Sequence, residues 1–143
     1  MSGQADGPAP AIALLNPAGL GKPLGPYSHL ACARAARFVF IAGQVATDVN
    51  GNIVGAGDFD AQCAQVFANI ETALKAVGGG WRNVVQFTTY LVHSQDIAKF
   101  AAFRQREFPR LFADQAYPPN TLVIVDRLVQ EPLLIEVQTI AAL

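Results

Sequence analysis

Val84-Val-Gln-Phe-Thr-Thr-Tyr-Leu-Val92 is the run whose reading decides the fold. Seven of its nine residues are β-branched or aromatic, the composition of a strand. The hydrophobic period changes on both sides of it. Upstream, Cys63, Val66, Phe67, Ile70, Leu74 and Val77 recur at three- and four-residue steps, which is one apolar face of a helix. Asp58 stands where an N-cap belongs, and Gly78-Gly79-Gly80 stops the pattern. Downstream, Ile97, Phe100, Ala101, Phe108, Leu111 and Phe112 mark a second helix. Ser94 or Asp96 is its expected cap, and Pro109 is expected to interrupt or kink it.

Farther out lie more strand-forming runs. Ala11–Leu15 and Ser28–Ala33 are short, and Arg37–Val45 (RFVFIAGQV) is rich in β-branched and aromatic residues. Asn50-Gly51 is a hairpin signal after it, with Ile53 and Val54 opening the expected return strand. Thr121–Val125 and Leu133–Ile140 complete the set. The order β-β-β-α-β-α-β-β is α+β, with a mixed sheet carrying both helices on one face. Residues 1–10, rich in Gly, Pro and Ala, are expected to be a disordered tail, and residues 11–143 one domain.

Hydrophobic residues make up 52% of the 143 and charged residues 15%, below the roughly 25% usual in soluble domains. A chain so poor in charge is expected to cover its second sheet face with further copies of itself. Net charge is −1, and the ten Lys and Arg are scattered, so a nucleic-acid partner is not expected. Cys32 and Cys63 form no metal-ligand or CxxC spacing, and His29 and His93 no HxH or HExxH, so neither metal nor cofactor is expected. The start of the chain has no basic leader with a long apolar run, and no stretch nears the roughly 18 apolar residues of a membrane helix. The expectation is a soluble, cytoplasmic protein.

Polar residues inside apolar strands are the candidates for a site. Gln44 follows Gly43, Thr88 and Thr89 sit mid-strand, and Glu136 and Gln138 share one face of the last strand. Such residues mark either a wetted face or the lining of a pocket. Asn120 follows two prolines at the entrance to a strand.

Six blocks now fall into a known order: Gly25-Pro26-Tyr27-Ser28, Val39 to Gln44, the Asn69-Ile70 helix ending in glycine, Val84 to Leu91, Pro118-Pro119-Asn120-Thr121, and Ile135 to Ala141. Over residues 14–142 they resemble the RidA/YjgF family. The resemblance implies a chorismate mutase-like fold and a homotrimer whose sheets form a barrel-like centre. It implies three clefts between subunits, where archetypal members hydrolyse enamine/imine intermediates such as 2-aminoacrylate to 2-keto acids and ammonia. An arginine heading the penultimate strand holds the substrate carboxylate there, and a glutamate on the last strand positions water.

Carried over, Tyr27 matches the cleft tyrosine, and Ala42, before Gly43, stands where serine is frequent. Asn120, followed by Thr121, stands at the arginine. Gln138 stands at the glutamate if the preceding turn has one extra residue; the alternative alignment puts Glu136 there. Asparagine lacks the charged fork that grips a carboxylate, and glutamine cannot take a proton from water. Arg104 and Arg127 are the candidate replacement cations. On this alignment little or no ammonia is expected from 2-aminoacrylate. Three functions follow: a divergent imine/enamine deaminase, a ligand-binding or sensing module without turnover, and an endoribonuclease or translation inhibitor, which the scattered cations disfavour.

Overall fold

The structure, a computed structural model, describes residues 7–143. Residues 1–6 of the expected tail lie outside the described residues.

Six strands and two helices follow in the order β1 (Ala11–Leu15), β2 (Leu30–Arg34), β3 (Phe38–Val45), α1 (Phe59–Ala76), β4 (Val84–Leu91), α2 (Asp96–Leu111), β5 (Asn120–Ile124) and β6 (Ile135–Ala142). β1 and β2 form an antiparallel ribbon of their own. The main sheet has the order β3-β6-β4-β5; β6 is antiparallel to β3 and β4, while β4 and β5 are parallel. Strands β3, β4 and β5 therefore all run one way. Their crossovers, through α1 and then α2, step across the sheet in the same direction. A right-handed crossover at each step puts both helices on one face.

α1 starts where Asp58 accepts the Ala61 N–H at 3.1 Å. It ends in a left-handed turn at Gly78 (φ +79°), where the Gly78 and Gly79 N–H groups donate to Lys75 and Leu74 carbonyls. Its buried face carries Cys63, Val66, Phe67, Ile70 and Leu74 as the spacing predicts, together with Gln62. The buried Gln62 amide donates to the carbonyls of Gly55 (3.2 Å) and Pro132 (2.8 Å) and accepts the Leu134 N–H (2.8 Å). It thereby ties the loop before α1 to the entrance of β6. The Cys63 thiol sits in the core, where burial pushes its pKa up; Cys32 is exposed on β2.

Four local expectations give way. The return strand at Ile53 and Val54 is one bridge, Thr47 to Ile53, because Gly55 and Gly57 (both φ +75°) turn the chain toward α1. The N-cap of α2 is Gln95, without a side-chain cap bond; Asp96 lies inside the first turn, buried and 3.5 Å from Lys99. Ile97 is exposed, since Phe100, Phe103 and Phe108 already define the buried stripe. Pro109 does not stop α2, which runs on to Leu111. Its missing N–H leaves the Gln105 carbonyl without an intrahelical partner, and the helix has only two more residues to run.

Candidate functional site

Alternation along β6 sends Ile135, Val137, Thr139 and Ala141 into the core beneath the helices. Glu136, Gln138 and Ile140 then face the opposite side, which the chain leaves uncovered. The register builds rows across that outer face. Gln138 pairs with Thr88 and Thr88 with Thr121; Glu136 pairs with Tyr90 and Tyr90 with Val123. Phe38 and Phe40, on the edge strand β3, are 49% and 75% exposed.

The ladder between β3 and β6 slips by one residue between Ile41 and Gln44. Ala42 and Gly43 together oppose Gln138, which is a β-bulge. The Gln44 side chain folds back to donate to the Ala42 carbonyl at 3.0 Å. The Glu136 side chain lies directly over Gly43. A Cβ placed there would stand 2.7 Å from the Glu136 Cδ and collide with its Oε1. Glycine leaves the carboxylate the space that a side chain at position 43 would take.

These residues line a recess of about 340 Å³. Gly43, Glu136 and Gln138 form its floor, Tyr90 one wall, and Arg127, Leu128 and Val129 the loop above. Glu136 is half-buried, and the loss of water raises its carboxyl pKa above the ordinary 4.5. Among the described residues no cation or hydrogen-bond donor is paired with it. Arg127 is held by its own loop, with Nη1 2.6 Å from Glu131 Oε1 and Nε donating to the Leu128 carbonyl at 3.0 Å. A carboxyl group of raised pKa beside an amide and a phenol has the chemistry to exchange a proton with a water molecule and to orient it.

The remaining candidates lie apart from this recess. Asn120 is opposite Phe87 in the parallel ladder, and its Oδ1 accepts the buried Thr89 hydroxyl at 2.7 Å. It belongs to the helix-covered side, so one chain does not bring Asn120 and Gln138 together. Thr121 is exposed on the outer face, in the row of Gln138. Tyr27 lies in the loop before β2, where its hydroxyl accepts the Leu24 N–H at 3.2 Å and its ring meets His29 edge-on. Ser28 Oγ donates to the Tyr117 carbonyl at 2.7 Å and pins this loop to the segment that enters β5. Tyr90 was not singled out from sequence. The available signal was its alternation with Thr88, two residues earlier on the same outer face.

Gly43→Ala tests the packing of the recess. The methyl group must push the Glu136 carboxylate aside and so change its contact with water. The expected result is a folded protein with a Glu136 carboxyl that titrates nearer 4.5 in side-chain carboxyl NMR.

The comparisons agree with this architecture. The family described as Endoribonuclease L-PSP matches residues 20–143. A RutC family protein of Synechocystis is 34% identical over 122 residues, covering 85% of this chain and 88% of its own length. One from Pyrococcus horikoshii is 35% identical over 120 residues, covering 84% and 89%. The crystal structure of the Rid family protein YyfB of Yersinia pestis superimposes with a TM-score of 0.76 at 32% identity, over 92% of this chain and 98% of that one. A family model over residues 20–143, relatives above 30% identity along most of the chain and the superimposable fold lead to one conclusion: the chain belongs to the RidA/YjgF family, whose family model carries the Endoribonuclease L-PSP description.

Proposed function

We propose that this protein is a hydrolytic deaminase of small imines or enamines, and that Glu136 is its proton-transferring group. The observation that carries this reading is the seat of Glu136 over Gly43, half-buried, with its pKa raised by desolvation. It favours Glu136 over Gln138 as the counterpart of the family's water-positioning glutamate, and so restores the base that the Gln138 alignment removes. Gln138, on the same face, holds the substrate or water by its amide. Ala42, Gly43 and Thr121 line the same face of the sheet. The exposed Phe38 and Phe40 support a homotrimer in which neighbouring copies cover that face and turn the open recess into a cleft. The proposed location is the cytoplasm, and no helix among the described residues is long and apolar enough to cross a membrane.

Ammonia release from freshly generated 2-aminoacrylate tests the reading. Release should exceed the spontaneous rate. Because Glu136 must be ionised to act as a base, the rate should rise with pH through a value above 4.5. A rate equal to that of buffer at every pH sinks it. The second reading, a binding module without turnover, would then stand. RNA cleavage gains no support from the arginines: Arg106 and Arg110 pair with Glu107, and Arg127 with Glu131.

A further inference from the structure

Glu136 is an acid that the chain leaves unanswered. Glu71, Asp96, Glu107 and Glu131 each reach a lysine or an arginine. Glu136 reaches none among the described residues, although it stands half-buried on the floor of an open recess. The only cation among the described residues that lines this recess is Arg127, and each of its three nitrogens is already taken by its own loop. Nε donates to the Leu128 carbonyl at 3.0 Å, Nη2 to the Val129 carbonyl at 3.3 Å and Nη1 to Glu131 Oε1 at 2.6 Å. Glu131 balances its charge. Arg104 is buried on α2 against the Phe100 ring, 4.5 Å from the centroid, and lines no part of the recess. The recess therefore keeps the negative charge of Glu136, and no uncommitted guanidinium waits there for a carboxylate.

Tyr90 adds a second feature that suits a cation. It is the partner of Glu136 in the antiparallel ladder of β4 and β6, so the two side chains stand next to each other on the outer face. The electron-rich face of an aromatic ring attracts a positive charge. Gln138, on the floor with Glu136, adds an amide oxygen that accepts an N–H. At about 340 Å³ the recess has room for a ligand of a few heavy atoms.

We infer that the recess selects small organic cations, with Glu136 and Tyr90 reading the positive charge. Where this rests on the deaminase reading, the substrate is an iminium ion without a carboxylate, the two-electron oxidation product of an amine that bears no acid group. Water adds its oxygen to the imine carbon, the C–N bond breaks, both water protons end on nitrogen, and an aldehyde or ketone leaves with ammonium. A carboxylate on the ligand would face the Glu136 charge across a partly dehydrated space, where like charges repel more strongly than in water. 2-Aminoacrylate should accordingly be turned over above the spontaneous rate and yet be a poor substrate.

Acetamidinium, acetamide and acetate share nearly one shape and differ in charge: positive, none and negative. They are the probes, at constant ionic strength, on the full-length protein. The side-chain carboxyl signal of Glu136 in ¹³C NMR, assigned by its absence in Glu136→Gln, should shift and saturate with acetamidinium. Its titration should also move to lower pH, because a bound cation favours the ionised form. Acetamide should bind at least about ten-fold more weakly, the gap between a charge-assisted and a neutral hydrogen bond, and acetate should leave the signal still. Tyr90→Leu, which keeps apolar bulk and removes the ring, should weaken acetamidinium binding about three-fold. An unmoved wild-type signal overturns the inference whether or not the variants fold. So does equal binding of acetamidinium and acetamide, or undiminished binding of acetamidinium by folded Glu136→Gln. Turnover of 2-aminoacrylate without acetamidinium binding refutes the cation site and leaves the deaminase reading. Acetamidinium binding without turnover of 2-aminoacrylate or of a carboxylate-free imine ends the deaminase reading and leaves a cation-binding module.

Discussion

Glu136→Gln is expected to lower kcat for imine hydrolysis by about 10²–10⁴-fold, the usual contribution of a positioned proton-transfer group. Glutamine keeps the shape and the hydrogen-bonding length of the side chain, so the loss should fall on kcat and leave KM almost unmoved. Gln138→Ala, on the same face, should move KM more than kcat. A fall of the opposite pattern would place the proton transfer at another residue. The same variant carries a stability signature of known sign. The folded state raises the Glu136 pKa above 4.5, so it prefers the protonated group. The wild-type protein is thus relatively most stable below 4.5 and loses that contribution as pH rises through the raised value. Glutamine does not ionise and loses nothing. The melting temperature of Glu136→Gln should equal or exceed that of the wild type at pH 8, and the gap should close in acid. Weaker activity with undiminished stability would mark a group kept for chemistry at the expense of the fold.

Phe67→Ala is expected to cost about 4 kcal/mol, within the range of roughly 3–5 for removing a core phenylalanine. Phe67 is 4% exposed and sits among Trp81, Phe87, Phe100, Phe103 and Phe108, with ring centroids 5.4 to 6.4 Å away. These five rings come from α2, β4 and the turn before β4. No single neighbour can relax into the space without giving up its contacts with the others, so the cavity persists. The loss is a large part of a typical stability of about 5–15 kcal/mol. Urea denaturation should show a lower midpoint at unchanged slope. A cost near 1 kcal/mol would mean that the aromatic cluster collapses around the hole.

Much of this fold is legible in the chain because the signals are local. The apolar run from Cys63 to Val77, its acidic cap at Asp58 and its glycine stop each act within a few residues. The β-rich run Val84–Val92 is strand on composition alone. The features that shape the site are not local. The bulge at Ala42-Gly43 exists because Gln138, almost a hundred residues away, lies opposite two residues rather than one. The space left open at Gly43 is taken up by Glu136. Period-two alternation put Glu136 and Gln138 on one face, but could not say which of them is held over the bulge. The side taken by Asn120 depends on a parallel pairing with β4 that only the crossover through α2 establishes. Proline and hairpin signals misled for a related reason: Pro109 falls in a last turn, and the glycines after Asn50-Gly51 lead the chain away before a second strand can form.

The position of β6 has a consequence for how the protein is made. The last strand along the chain is an interior strand of the sheet, flanked by β3 and β4. During synthesis β3, α1 and β4 emerge first, yet β3 and β4 have no ladder with each other. On the ribosome they must wait, with their core faces unshielded, until Ile135–Ala142 clears the exit tunnel and threads between them. Folding then closes contacts about a hundred residues apart, such as Phe38 with Ala142, in a late, cooperative step. A nascent chain stalled before residue 135 should therefore hold no more of the main sheet than the β4–β5 pair and should be a client for chaperones.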